Sequence, residues 1–318
     1  MKPIIFSTAN SAYFANLVTG RIPDAEFVQT TRKRFDGGEL YFRLNVERHD
    51  DLLGRNVIVV GSGSKDTDGD FNEVCRIGTA AAAYGASRVS YVMPFFGYST
   101  MERAVKPGEV VTAKIMARML SNLPQGDLRN CFLLMDLHTP GIPHYFEGNC
   151  LRFELFAEPV LSAAFERLGL SNLMFASADL GRPRWVKAFA KRYKTSMAFV
   201  DKDREFGDTK VYEVVGDVRG KIVVIYDDMV RSAKTLIDAA CAYLTRGALE
   251  VYALTSHLAY DNEEAIRRLE ESPIKMVIGT NTHPMSQHPL VWKSKKTVVE
   301  DVSQLFADAA TMLNGGSR

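Results

Sequence analysis

The stretch IVVIYDDMVRSAKT (222–235) constrains this chain most. A continuous apolar run ends in two adjacent carboxylates, and a short loop then opens a helical pattern. Similar apolar runs recur as VIVV (57–60) and FLLM (132–135). Strands of this kind are buried on both faces, which is the condition of a parallel sheet covered by helices rather than of a half-exposed antiparallel one. The pattern predicts strands at Pro3–Phe6, Asn56–Val60, Arg88–Met93, Cys131–Asp136, Leu173–Ala176, Lys221–Tyr226, Glu250–Thr255 and Lys275–Ile278. Helical spacing predicts Phe71–Tyr84, Val110–Ser121, Arg152–Arg167, Pro183–Tyr193, Ala233–Thr245 and Val302–Leu313. Strands alternating with helices specify an α/β fold with mostly parallel sheets flanked by helices.

An internal repeat runs through this alternation. RNVIVVGSGS (55–64) leads through an Ala-rich helix to YGASRVSYVM (84–93), and GKIVVIYDDM (220–229) leads through another helix to RGALEVYALT (246–255). Each unit reads strand, loop, helix, Gly-Ala stop and strand, with Gly85 and Gly247 suited to the left-handed residue that ends a helix. Two related lobes joined near Cys150 follow from this, although any two βαβ units share a general likeness.

Composition narrows the function. With 39 Lys+Arg against 38 Asp+Glu, the net charge is +1, so no bulk field holds the chain to nucleic acid or an anionic membrane. No apolar window is long enough to span a bilayer, and MKPIIFSTANSAYF at the start does not read as a secretory signal. Cys75, Cys131, Cys150 and Cys241 are scattered, as free thiols of a reducing compartment are. A cytoplasmic location is the expectation.

In open α/β sheets ligands bind at the carboxyl ends of strands, where the loop after Asp227 and Asp228 falls. The start of the next helix offers unbonded N–H groups to a phosphate, and the acidic pair can accept hydrogen bonds from sugar hydroxyls. Taken alone, an Asp-rich turn that caps a helix would account for the same residues. The loop GSGSKDTDGD (61–70) holds the equivalent place in the first lobe. It matches neither GxxxxGK[ST] nor GxGxxG, leaving open whether it cradles an anion or nothing.

The segment 222–235 resembles the phosphoribosyl-binding motif of phosphoribosyltransferases and ribose-phosphate pyrophosphokinases. Five further segments resemble the pyrophosphokinases in family order: RFDGGE (34–39), MDLHTPGIPHYFEG (135–148), SADLGRPRWVKA (177–188), FVDKDREFGD (199–208) and TNTHP (280–284). Residues 93–122 look closest to the phosphate-independent class. The resemblance implies two phosphoribosyltransferase-like lobes, 1–150 and 151–301, with the helix 302–313 returning to the first and an active site between them. It implies Mg2+-dependent transfer of the β,γ-diphosphoryl group of ATP to the anomeric hydroxyl of ribose 5-phosphate, in a homo-oligomer (dimer or hexamer).

Residue by residue, the resemblance puts ATP at Phe35, Glu39, Arg103, Asp136 and His138. Phe35 would stack on the adenine of a neighbouring subunit's site. Mg–ATP contacts fall on His138 and Asp179; magnesium prefers oxygen ligands, so His138 would act through water. Asp179, Gly181 and Arg182 match the pyrophosphate loop. Lys202 and Arg204 match the catalytic loop, beside His138 in the catalytic set; being two apart, they project to one side of an extended chain. Asp227, Asp228, Arg231, Ser232, Ala233, Lys234 and Thr235 match the ribose-phosphate loop. His144, His257, His283 and His288 have no metal-like spacing.

The chain departs from the family pattern where the ribose-phosphate loop normally carries a Gly pair, since Ala233 and Lys234 stand there. Ala178 and Arg182 alter the pyrophosphate loop, and the usual nucleotide segment is replaced by Tyr98–Arg103. Three functions follow. One is synthesis of phosphoribosyl diphosphate from ribose 5-phosphate. Another is the same transfer onto a 5-substituted ribose such as ADP-ribose, in NAD-linked metabolism. The third is a non-catalytic, pyrophosphokinase-associated regulatory subunit, against which the retained His138, Asp179, Lys202, Arg204, Asp227 and Asp228 argue.

Overall fold

The computed structural model describes residues 2–178, 183–205 and 208–315. Asp179, Gly181 and Arg182 lie outside the described residues. The chain divides into two units, Met1–Phe156 with Val302–Arg318, and Ala157–Asp301. Along the chain run β1 (Ile4–Ser7), α1 (Ala12–Thr19), β2 (Glu26–Phe27), β3 (Thr30–Arg34), β4 (Leu40–Leu44), β5 (Asn56–Val60), α2 (Thr67–Ala83), β6 (Arg88–Met93), α3 (Thr112–Ser121), β7 (Cys131–Met135) and β8 (Leu151–Leu155). The second unit holds α4 (Glu158–Glu166), β9 (Leu173–Ser177), α5 (Pro183–Tyr193), β10 (Met197–Glu205), β11 (Asp208–Val215), β12 (Ile222–Met229), α6 (Lys234–Thr245), β13 (Glu250–His257), α7 (Glu263–Glu271), β14 (Met276–Thr280), α8 (Pro289–Lys293) and β15 (Thr297–Glu300); α9 (Ser303–Gly315) rejoins the first.

The first sheet has the order β2-β1-β5-β6-β7-β8, all parallel. The second has the order β11-β10-β9-β12-β13-β14-β15, parallel except for the β10–β11 pair. Placing β1 on β9 superposes the two orders strand for strand from β2/β10 through β8/β15. The repeat therefore extends well beyond the two βαβ segments visible in the sequence. The apolar runs fill the cores: Val57–Val60, Phe132–Met135 and Val223–Ile225 are fully buried.

The C-terminal helix α9 packs on the first unit, where Phe306 meets Phe14 edge-on at 5.5 Å. The helix expected over Arg152–Arg167 is in fact a strand followed by a shorter helix. LRFEL (151–155) alternates apolar and polar residues with period two and pairs with β7, and α4 begins at Glu158 beside Pro159. The segment carrying Lys202 and Arg204 is a strand, β10, and not an open loop. Lys202 pairs with Val211 and Arg204 with Thr209 across an antiparallel ladder, with an irregularity between Asp201 and Lys202. Among the described residues no helix is long and apolar enough to cross a membrane.

Candidate active site

Strand β12 carries Tyr226, Asp227 and Asp228 to the carboxyl edge of the second sheet. Asp228 is buried and Asp227 half-buried, and the Asp228 amide donates to Asp227 Oδ1 at 3.0 Å. In-register neighbours on β13 put Thr255 beside Asp227 and His257 beside Met229. Behind the acidic pair lies a buried polar network. Tyr226 Oη and Ser256 Oγ are 2.9 Å apart, Thr280 Oγ1 donates to the Ser256 carbonyl, and His257 Nδ1 lies 2.8 Å from Thr282 Oγ1. The Val230 amide donates to the His257 carbonyl at 2.9 Å, tying the start of the loop to β13. His257 had no role on spacing alone; sheet register is what brings it to this edge.

The loop turns at Ala233, whose φ of +62° lies in the left-handed region. An L-residue with a Cβ adopts that conformation at a cost of roughly 1–2 kcal/mol. The Ala233 side chain makes no capping bond, the Ser232 hydroxyl accepts from the Lys234 amide at 3.4 Å, and the first turn of α6 contains no acidic residue. Its amino-terminal end thus presents amides and the positive end of the helix dipole with no carboxylate of its own in the way. Lys234 is exposed there, while the Arg231 guanidinium engages Asp261 at 3.1 Å.

The equivalent loop of the first unit is built differently. Asp66 accepts from the Gly69 amide at 3.1 Å, and Asp68 and Asp70 occupy the first turn of α2. Asp70 is buried, accepts from Asn10 Nδ2 at 2.9 Å, and has its carboxyl pushed up by desolvation. Three carboxylates around a self-capped helix start repel an anion. The 227–235 loop differs in that the first turn of its helix contains no acidic residue.

In the first unit, Asp136 follows β7 with φ +39° and is buried, while His138 is half-buried. The Leu137 amide between them donates to Glu154 Oε1 at 3.1 Å. Burial pushes the Glu154 carboxyl up. Glu154 escaped the sequence reading because its segment was read as helix. Phe35 and Glu39 sit at the tip of the β3–β4 hairpin, closed by Phe35 N–H to Glu39 O at 2.8 Å. The Phe35 ring is exposed, 6.3 Å from that of Tyr41. Arg103 is exposed and 3.5 Å from Glu102. Asp136, Asp227 and Asp228 are oxygen donors of the kind Mg2+ takes, and His138 is a nitrogen donor suited to a water-mediated contact. Among the described residues no three His, Cys, Asp or Glu side chains form a metal cluster.

Residues 3–123 match the model of the N-terminal domain of ribose phosphate pyrophosphokinase, and residues 187–317 that of the phosphoribosyl synthetase-associated domain. A ribose-phosphate pyrophosphokinase of Caldanaerobacter subterraneus subsp. tengcongensis is 32% identical over 285 residues, covering 89% of this chain and 85% of that protein. One from Helicobacter hepaticus is 29% identical over 96% of this chain and 93% of its own length. The crystal structure of phosphoribosylpyrophosphate synthetase from Mycobacterium smegmatis shares the fold with a TM-score of 0.85 at 23% identity, covering 99% of this chain and 100% of that one.

Proposed function

The chain belongs to the ribose-phosphate pyrophosphokinase family, and we propose that it moves the β,γ-diphosphoryl group of Mg–ATP onto the anomeric hydroxyl of ribose 5-phosphate. The anomeric oxygen attacks the β-phosphorus, the bond to the α,β-bridging oxygen breaks, AMP departs, and the hydroxyl proton passes to solvent. Such transfers need positioning and charge stabilisation more than covalent chemistry. Asp227 and Asp228 hold the ribose hydroxyls, and the amides of 231–235 hold the 5-phosphate. Lys202 and Arg204 stabilise the charge that develops on the transferred group. Phe35, Glu39, Arg103, Asp136 and His138 contact the nucleotide. Magnesium, when bound, neutralises phosphate charge; His138 and Asp179 would hold it through water. A copy of the chain supplying Phe35 makes the enzyme a homo-oligomer.

One observation supports this reading above the others: the carboxylate-free first turn of α6 directly after Asp227 and Asp228. A second reading draws on the same loop. Ala233 narrows the space that glycine leaves in relatives, and exposed Lys234 adds a cation, which suits the diphosphate of ADP-ribose as acceptor. Incubation with Mg–ATP and either sugar, followed by AMP release and product mass, separates the two. AMP formed only with ADP-ribose selects the second reading, and no acceptor-dependent AMP leaves the regulatory subunit.

A further inference from the structure

The left-handed residue of the loop is held in place from outside the motif. Asp261, after β13, grips Arg231 twice: its carboxylate meets the Arg231 guanidinium at 3.1 Å, and its amide donates to the Arg231 carbonyl at 3.2 Å. Arg268, in the last turn of α7, donates to the Ser232 carbonyl at 2.8 Å. The residue that follows is Ala233, with φ +62°. Both outer residues stand on a rigid base. Asn262 caps α7 through its side chain, accepting from the Ala265 amide at 3.0 Å, and Tyr260, Ala265, Ile266 and Leu269 share the core cluster that contains Ala233.

A strained conformation persists only where its surroundings over-determine it. The Arg231 guanidinium and carbonyl, held by the Asp261 carboxylate and amide just before the cap of α7, and the Ser232 carbonyl, held by Arg268 on that helix, supply the restraint. We propose that Asp261 and Arg268 are positioning residues that keep the 231–233 turn in its left-handed form, so that the amides at the start of α6 stay aimed at the acceptor's phosphate. This deepens the phosphate-loop reading above and rests on it. In a chain with glycine at this position the clamp would be dispensable, because glycine enters the left-handed region without steric cost. Here the alanine makes it necessary.

The test compares wild type, Asp261→Asn, Arg268→Met, the double variant, and the double variant carrying Ala233→Gly. When the binding-competent turn is only fractionally populated, apparent affinity falls by that fraction. The double variant should therefore raise the KM for ribose 5-phosphate by about tenfold, with the KM for ATP and the circular dichroism unchanged. Adding Ala233→Gly should return the acceptor KM to within about threefold of wild type. An unchanged acceptor KM, a parallel rise in both KM values, or failure of the glycine to rescue would each overturn the proposal. Amide hydrogen exchange reads the loop without turnover: the Asp261 and Ile237 amides, which donate to the Arg231 and Ala233 carbonyls, should lose protection in the double variant, and equal protection refutes the clamp. Absence of acceptor-dependent AMP from wild type instead sinks the proposed function, whatever the exchange reports.

Discussion

Gly85 and Gly247 occupy the same place in the two units, with φ +83° and +95° at the ends of α2 and α6. Each carbonyl accepts an amide from the start of the preceding strand connection, Gly54 at 2.7 Å and Gly220 at 2.9 Å. The next bonds correspond too: Ala86 donates to Ala81 and Ala248 to Tyr243, at 3.0 and 3.1 Å. Replacing either glycine by alanine forces a Cβ into the left-handed region. At Gly85 that Cβ would also lie 2.7 Å from Leu53 Cδ1, against 3.1 Å from Arg219 Cγ at Gly247. Each substitution should destabilise by about 1–2 kcal/mol, with Gly85→Ala the worse, as urea unfolding would register. Equal stability to wild type would contradict the shared role.

The repeat was legible because it rests on local chemistry: apolar strands, a helix stop, a second apolar strand. The β3–β4 hairpin was not, since TTRKR and LYFRL carry charge and an exposed face where the core strands are uniformly apolar. The acidic pair and its loop could be read from their order along the chain. Glu154, His257, Asp261 and Arg268 could not. They reach the two candidate regions through sheet register or helix placement from remote segments, and their own neighbours in sequence are unremarkable.

Asp70 and Glu154 give the chain a defined response to pH. Burial raises both carboxyls in the folded state, so the folded protein holds these protons where the unfolded chain has released them. Stability then falls as pH rises from the ordinary carboxylate range through the raised values, and the penalty is complete above them. Asp70→Asn and Glu154→Gln keep the acceptors for Asn10 and for the Leu137 amide. Each variant should flatten the loss of stability between pH 4 and pH 7 and be the more stable protein at pH 7. Unfolding curves parallel to wild type across that interval would show the carboxyls to be ordinary.

Phe35 offers a way to separate nucleotide contact from folding. The residue is 46% exposed at a hairpin tip, and among the described residues its ring meets Tyr41 and the Lys33 ammonium, 5.8 Å from its centroid. Removing it should change stability by no more than about 0.5 kcal/mol. If the ring stacks on adenine, Phe35→Ala should raise the KM for ATP by roughly tenfold, since such stacking contributes about 1–3 kcal/mol. The acceptor KM should stay constant. An unaltered ATP KM would remove Phe35 from the nucleotide site.

Lys202 carries the sharpest prediction about the chemistry. It stands on β10 in register with Val211, so the ladder fixes its backbone. Truncation to alanine therefore leaves the strand pairing intact, and the thermal midpoint should hold. If the ammonium stabilises charge as the β-phosphorus is attacked, its loss should lower kcat by about 10²–10³ while both KM values move little. That pattern separates stabilisation of the transition state from ground-state binding, which would raise a KM instead. Near-normal turnover by Lys202→Ala would take Lys202 out of the reaction and shift the burden of charge stabilisation to Arg204.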